Sequence, residues 1–276
     1  MSGVVQPDRI AREDVQVTLY EYKTKVLSKI KQVKDFKISG SYNSDFSKKD
    51  FGDIDLIIRV TADSLQEAKQ YLIDEFEKSA YIIPFEYRGK VKKYNNAGEL
   101  LSIKFKQAGS DKTVQIDNII SLSKTESDFK LNFLNLPAEV QGLVLGLIKV
   151  STDEFPKLKE KYNITGDEAF DVSSSSLRLR NSSNEVIWKS TKWKDVENIL
   201  KLYELQSSDG FEKILAKCKT LSERSRLRLI GLFKKMISVK SGEVGTPKGD
   251  NKIRSIERVE KLVEQRIKGF MEFIRE

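Results

Sequence analysis

Asp53 and Asp55 stand one residue apart at the head of the apolar run Leu56-Ile57-Ile58. Side chains alternate along a strand, so the two carboxylates share one face while Ile54 and Leu56 share the other. Like charges held this close oppose each other's ionisation. A divalent cation relieves the repulsion, and hard cations prefer carboxylate oxygen. Upstream, a short apolar stretch runs into Gly40-Ser41. Glycine lets the backbone come close to a ligand, and a serine at the start of a helix adds a hydroxyl where anions are favoured. The stretch from Ile38 to Val60 therefore offers an anion cradle followed by a cation clamp. The chain has no histidine. That removes serine-histidine triads, imidazole metal sites and histidine bases. Acid–base work falls to carboxylate, Lys, Tyr or metal-bound water, and two-metal phosphoryl chemistry fits that restriction.

Gly40-Ser41, the intervening residues 42–52, and Asp53-Ile54-Asp55 with its apolar flanks carry a resemblance to the DNA polymerase beta-like nucleotidyltransferase superfamily. The resemblance covers residues 1–125 and does not extend to the C-terminal half. It implies a mixed-sheet nucleotidyltransferase core; with the mainly helical pattern of the C-terminal domain over residues 126–276, the expectation is an α+β protein. It also implies transfer of a nucleoside monophosphate from a triphosphate to an acceptor hydroxyl, with Mg2+ or Mn2+ as cofactor. The family's third carboxylate sits on a later strand, and Asp117 within Thr113–Ile120 fits that place, with Asp111 and Asp128 as nearby rivals. On this likeness Asp53 and Asp55 hold both metal ions. Asp117 holds the catalytic one and draws the proton from the acceptor. Gly40, Ser41, Ser44, Lys48 and Lys49 are the candidates for holding the triphosphate, although either lysine alone also reads as a solvated loop residue.

The elements that must position these groups follow from periodicity. Apolar residues from Val15 to Val33, among them Val17, Leu19, Tyr20, Val26, Leu27 and Ile30, predict one long helix. Phe36–Ser39 and Asp53–Val60 read as strands. Asp63-Ser64 caps a helix over Leu65–Lys78. Tyr81–Tyr87, Leu100–Phe105 and Thr113–Ile120 read as extended, separated by the turn-rich Asn95–Gly98 and Ala108–Asp111. A boundary is expected over 121–129. Beyond it the pattern predicts a buried helix from Pro137 to Val150, a polar stretch over Phe170–Ser176, and a hairpin, Ser176–Arg180 with Glu185–Ser190, that turns over 181–184. Helices follow over 194–205, 211–220 and 222–239. The stretch 241–251 reads as a linker, and a last amphipathic helix is expected from Ile253.

Charge bears on the partner. Residues 187–276 hold 21 Lys and Arg against 13 Asp and Glu, which accounts for the whole net charge of +8. That asymmetry points to a polyanion, RNA first, although a lysine-rich helical surface gives the same count. Arg178 and Arg180 share a strand face, and Arg224, Arg226, Arg228, Lys234 and Lys235 lie on the third late helix. These seven are the candidates for nucleic-acid contact. For the arginine pair, an edge strand with ordinary basic residues is the bland alternative. The expected activity is template-independent addition to an RNA 3′ end. The Gly-Ser form also suits transfer to a small molecule, a protein or a second nucleotide, and a non-catalytic nucleic-acid-binding protein on the same fold is a third possibility. No apolar run approaches the ~20 residues a bilayer span needs. The single Cys218 cannot form an internal disulfide, and residues 1–16 do not read as a secretory leader. A cytoplasmic protein is the expectation.

Overall fold

The computed structural model describes residues 7–87 and 89–240, without the side chains of 138, 139 and 233–240. Their order is β1 (Ile10–Ala11), α1 (Arg12–Lys25), β2 (Val33–Ser39), α2 (Ser41–Ser44), β3 (Asp50–Phe51), β4 (Asp53–Val60) and α3 (Leu65–Lys78). Then come β5 (Ile82–Ile83), β6 (Phe85–Tyr87), β7 (Lys90–Lys92), β8 (Tyr94–Ala97), β9 (Leu100–Lys106), β10 (Thr113–Ser121) and α4 (Lys124–Leu134). The remainder is α5 (Ala138–Glu154), α6 (Pro156–Lys161), β11 (Ala169–Val172), β12 (Leu177–Arg180), β13 (Val186–Ser190), α7 (Trp193–Leu202), α8 (Phe211–Lys219) and α9 (Glu223–Lys240). The protein is mixed α+β. No helix among the described residues is long and apolar enough to cross a membrane.

Two compact units divide the chain. Among the described residues, the first runs to Pro137 and takes in 174–176 and 191–193, and the second holds the others. In the first, a six-stranded sheet has the order β2-β4-β10-β9-β5, with β8 also on β9. β10 runs parallel to β4, and the other pairs are antiparallel. Alternation sorts the faces. Ile54, Leu56, Ile58 and Val60 of β4, Val114 and Ile116 of β10, and Leu101, Ile103 and Phe105 of β9 form one core with Val15, Leu19 and Tyr22 of α1 and Ala68, Leu72 and Phe76 of α3. The Tyr22 hydroxyl donates to buried Asn118 Oδ1 at 2.9 Å, so this face keeps its polar group satisfied. The opposite face carries Asp53, Asp55, Ile57 and Arg59. There α4 lies along β2, β4 and β10, and its Asp128 binds Lys37, which sits across from Ile57, at 2.7 Å.

The same capping device starts two helices. Ser64 Oγ accepts from Glu67 N at 3.1 Å, while Glu67 accepts from Asp63 N at 2.8 Å. Ser123 Oγ accepts from Glu126 N at 3.2 Å, and Glu126 from Leu122 N at 3.0 Å. Residues 121–129, read from sequence as a boundary, thus hold the end of β10 and the start of α4. Buried Lys130 fastens that helix through Glu126 at 2.8 Å and Glu99 at 3.0 Å.

Three readings differ from the structure. The first helix ends at Lys25, and a 3-10 turn over Leu27–Lys29 leads into a strand that already begins at Val33. Its inward stripe is Val15, Leu19 and Tyr22; Val17 and Tyr20 face solvent. Asn95–Ala97 is strand, paired to β9, and only Gly98-Glu99 turns. In the second unit the sheet order is β11-β12-β13, so the strand of Arg178 and Arg180 is central rather than an edge. Within that unit α5 is buried along Val140, Leu143, Val144, Leu147 and Ile148 and contacts β11, α6, α8 and α9. The linker over 241–251 and the helix from Ile253 lie outside the described residues.

Candidate active site

β4 and β10 set the carboxylates side by side. In their parallel register Asp55 pairs with Asp117 and Asp53 with Gln115. On the other flank Ser39 pairs with Asp55, and the chain turns at Gly40 immediately afterwards. Asp53, Asp55, Gln115 and Asp117 therefore share the face opposite the main core. Of the rivals, Asp111 lies in the β9–β10 turn and is paired with Lys106, and Asp128 is on α4 with Lys37.

Gly40 has φ 70° and ψ −149°, a region that side-chain-bearing residues scarcely occupy. A Cβ built there would lie 2.1 Å from Asp55 Oδ2. The Asp55 carboxylate thus rests against bare backbone, and the position admits no side chain while it stays there. Burial first, then the charges of Asp53 and Asp117, push the Asp55 carboxyl up to about 7, with Lys48 opposing. Asp117 is 2% exposed. Burial raises its pKa, the hydrogen bond from Gln115 pulls it back, and the charge of Asp53 raises it.

Gln115 was not foreseen from sequence. Its Nε2 donates to Asp117 Oδ1 at 2.8 Å, while its Oε1 is buried without a partner. Buried acceptors in native folds are nearly always satisfied, and an amide oxygen is of the kind that ligates a hard cation. As the side chains stand, no three acidic or cysteine groups among the described residues are gathered closely enough to hold a metal: Asp117 is engaged with Gln115, and Asp55 lies against Gly40. In kind, however, the donor set of three carboxylates and one amide oxygen suits a hard divalent cation.

The loop after Gly40 is held by Arg12, a second residue the sequence did not reveal. Its guanidinium donates to the carbonyls of Tyr42 at 3.0 Å, Lys48 at 2.9 Å and Asp45. Its backbone N–H donates to Lys49 O at 2.8 Å. The same guanidinium lies over the rings of Tyr42 and Phe51, 4.8 and 4.9 Å from their centroids. So anchored, the loop places Lys48 Nζ 3.1 Å from Ser41 Oγ. Ser44 closes α2 with its N–H on Gly40 O at 3.1 Å. Lys49 is exposed and joins the array through its backbone alone.

The nucleic-acid candidates belong to the second unit. Arg178 and Arg180 both bind Asp171, Arg180 through Nε at 3.2 Å. Arg224 and Arg228 reach Asp153 at 3.6 and 2.5 Å. Arg226 lies between them on α9, and Lys234 and Lys235 are on the same helix with side chains outside the described residues. No protein-family model matches the chain, and no curated protein sequence matches it.

Proposed function

We propose that this chain is a metal-dependent nucleotidyltransferase of the polymerase beta-like kind, adding a nucleoside monophosphate to the 3′ hydroxyl of an RNA. One observation carries the reading: the β4–β10 register sets Asp117 beside Asp55 on the face that also bears Asp53, with the bare Gly40 backbone against Asp55. Asp53, Asp55 and Asp117 would hold Mg2+ or Mn2+. When bound, such ions neutralise charge on the transferring phosphate and on both attacking and leaving oxygens.

The chain's own groups supply the rest. Gly40 presents backbone with no side chain in the way, and Ser41 Oγ and Lys48 Nζ, already 3.1 Å apart, bind terminal phosphate oxygens as donors. Arg12 keeps Lys48 in place by fixing three loop carbonyls, a positioning role that lowers the reorganisation needed on binding. Asp117 has its pKa raised by burial, and a carboxylate so shifted is a better acceptor for the acceptor-hydroxyl proton. The basic excess over residues 187–276 supports an RNA acceptor by neutralising backbone phosphates.

Transfer from each α-labelled nucleoside triphosphate, with Mg2+ and with or without total RNA, tests the reading against an Asp53→Asn/Asp55→Asn double variant. Label on RNA that disappears in the variant supports it. Label released as a small product without RNA moves the acceptor to a small molecule or second nucleotide. No turnover in any lane, with RNA still bound, favours a non-catalytic binding protein.

A further inference from the structure

In the second unit, three adjacent strands converge charges on one face. Asp171 of β11 pairs with Arg178 of β12, and Arg178 with Lys189 of β13. Arg180 lies two residues on, on the same face. From α5, Lys149 Nζ approaches Asp171 Oδ1 to 3.8 Å. Arg178 Nη2 and Arg180 Nε both bind the other oxygen, Oδ2. Three cations thus contact a single carboxylate, and Lys189 stands beyond Arg178 on the next strand. A purely structural pair needs one guanidinium per carboxylate, because each additional cation adds repulsion that one negative charge cannot cancel.

Donors are also left over. A guanidinium offers five N–H groups. Arg178 bonds Asp171 through Nη2, and its Nε is buried without a partner. Arg180 spends Nε on Asp171 and Nη1 on Asn184 O at 2.6 Å. Lys189 is exposed and makes no ion pair among the described residues. The ion-paired side chains of Lys149, Arg178 and Arg180 are 37%, 24% and 24% exposed, so they are held still yet partly open to solvent. Asp171 is the fixed point that stops the two forks from splaying.

We propose that this cluster binds the phosphodiester backbone of an RNA strand, with Asp171 as its positioning residue. Guanidinium forks match phosphate oxygens in pairs. The cluster gathers on Asp171 and continues across the open sheet face to Lys189. Strand spacing puts Arg178 and Lys189 roughly 5 Å apart and Arg178 and Arg180 roughly 7 Å apart at the backbone, a span that meets consecutive phosphates rather than one. The inference shares its RNA with the function proposed above but needs none of that chemistry. Its test therefore omits nucleotide and metal, and either can fail alone.

The full chain is titrated against a short fluorescent single-stranded oligoribonucleotide in a chelating buffer, between about 50 and 200 mM salt. Arg178→Gln/Arg180→Gln should weaken binding by at least roughly tenfold and reduce the log–log salt slope by about 1.4, the loss of two phosphate contacts. Because that variant leaves Asp171 with only Lys149, Lys189→Gln is the companion: it removes no described contact, so melting should be unchanged while affinity falls about threefold or more and the slope by about 0.7. Lys194→Gln, an exposed lysine of the same unit, should leave both unchanged. Parent-like binding in both cluster variants, an equal loss in the Lys194 variant, or no binding by the parent at the lowest salt overturns the proposal.

Discussion

Gly40→Ala joins the backbone argument to the carboxylate argument. Two costs can be read from the structure. The first is conformational: φ 70° with ψ −149° is essentially restricted to glycine and costs of order 1–3 kcal/mol for any other residue. The second is steric. The new methyl would lie 2.1 Å from Asp55 Oδ2 and 3.0 Å from its Cγ, inside any tolerable contact, so either the carboxylate or the β2–α2 turn must move. The carboxylate terminates a short side chain and is the softer of the two. A catalytic group displaced by about 1 Å can lose on the order of a hundredfold in rate. The expected result is a melting temperature lowered by several degrees, about 2–8 °C per kcal/mol for units of this size range, with nucleotide transfer reduced about a hundredfold. Gly98→Ala isolates the first cost: its φ is 59°, and a Cβ there meets nothing within 4 Å. That variant should lose stability and keep its turnover. Circular dichroism melting beside the transfer assay reads both quantities. If Gly40→Ala transfers at the parent rate, the contact between Gly40 and Asp55 has no part in the chemistry and the reasoning fails.

Two further outcomes follow from the same site. Asp55 titrates near 7 in the fold against 3.8 for an ordinary aspartate, so the folded state keeps a proton that the unfolded chain has lost. The contribution of this one group to stability should be greatest below pH ~4, decline as pH rises towards ~7, and level off above. Asp55→Asn cannot ionise and should therefore match the parent near pH 4 and exceed it above pH 7, by at most roughly 4 kcal/mol. Denaturant titrations across pH would refute this if the two curves run parallel. Arg12→Ala removes a charged donor from three carbonyls and should cost about 1–3 kcal/mol. It should also raise KM for the triphosphate about tenfold while kcat falls less. Arg12→Lys should rescue little, because one ammonium cannot span the Tyr42, Asp45 and Lys48 carbonyls, and an unchanged KM in either variant would remove Arg12 from the loop's support.

What the sequence disclosed was local in origin. Strand alternation put Asp53 and Asp55 on one face and Ile54 and Leu56 on the other, and the capped helix after Ser64 is present with both of its capping bonds. The hairpin of β12 and β13 was also legible, because turn chemistry is written in neighbouring residues. Misses fall into two kinds. Some were local signals passed over: Ser123 and Glu126 repeat the spacing of Ser64 and Glu67, yet the helix they cap was not read. Asparagines at 95 and 96 weakened the strand signal of β8, which is stabilised by its ladder with β9. The others had no local signal at all. Arg12 acts on carbonyls some thirty or more positions away. The central place of β12 depends on β11, whose polar flanks hid it. Gln115 could have been found, since it stands two residues before Asp117 on the same face of a strand already read as such.

The parallel pairing of β4 with β10 carries a consequence for biosynthesis. The whole run from Leu56 to Ile116 separates the two aspartates that this pairing brings together, and α3, β5 and β9 must be laid down before β10 has a slot to enter. Pairings this distant in sequence are slow to close and come late. A nascent chain that has already displayed Asp53 and Asp55 is therefore still without its third carboxylate and without Gln115. On the ribosome the chain passes through a stage with half of the proposed site, and if that site holds a cation, affinity for it should rise in one step as β10 emerges.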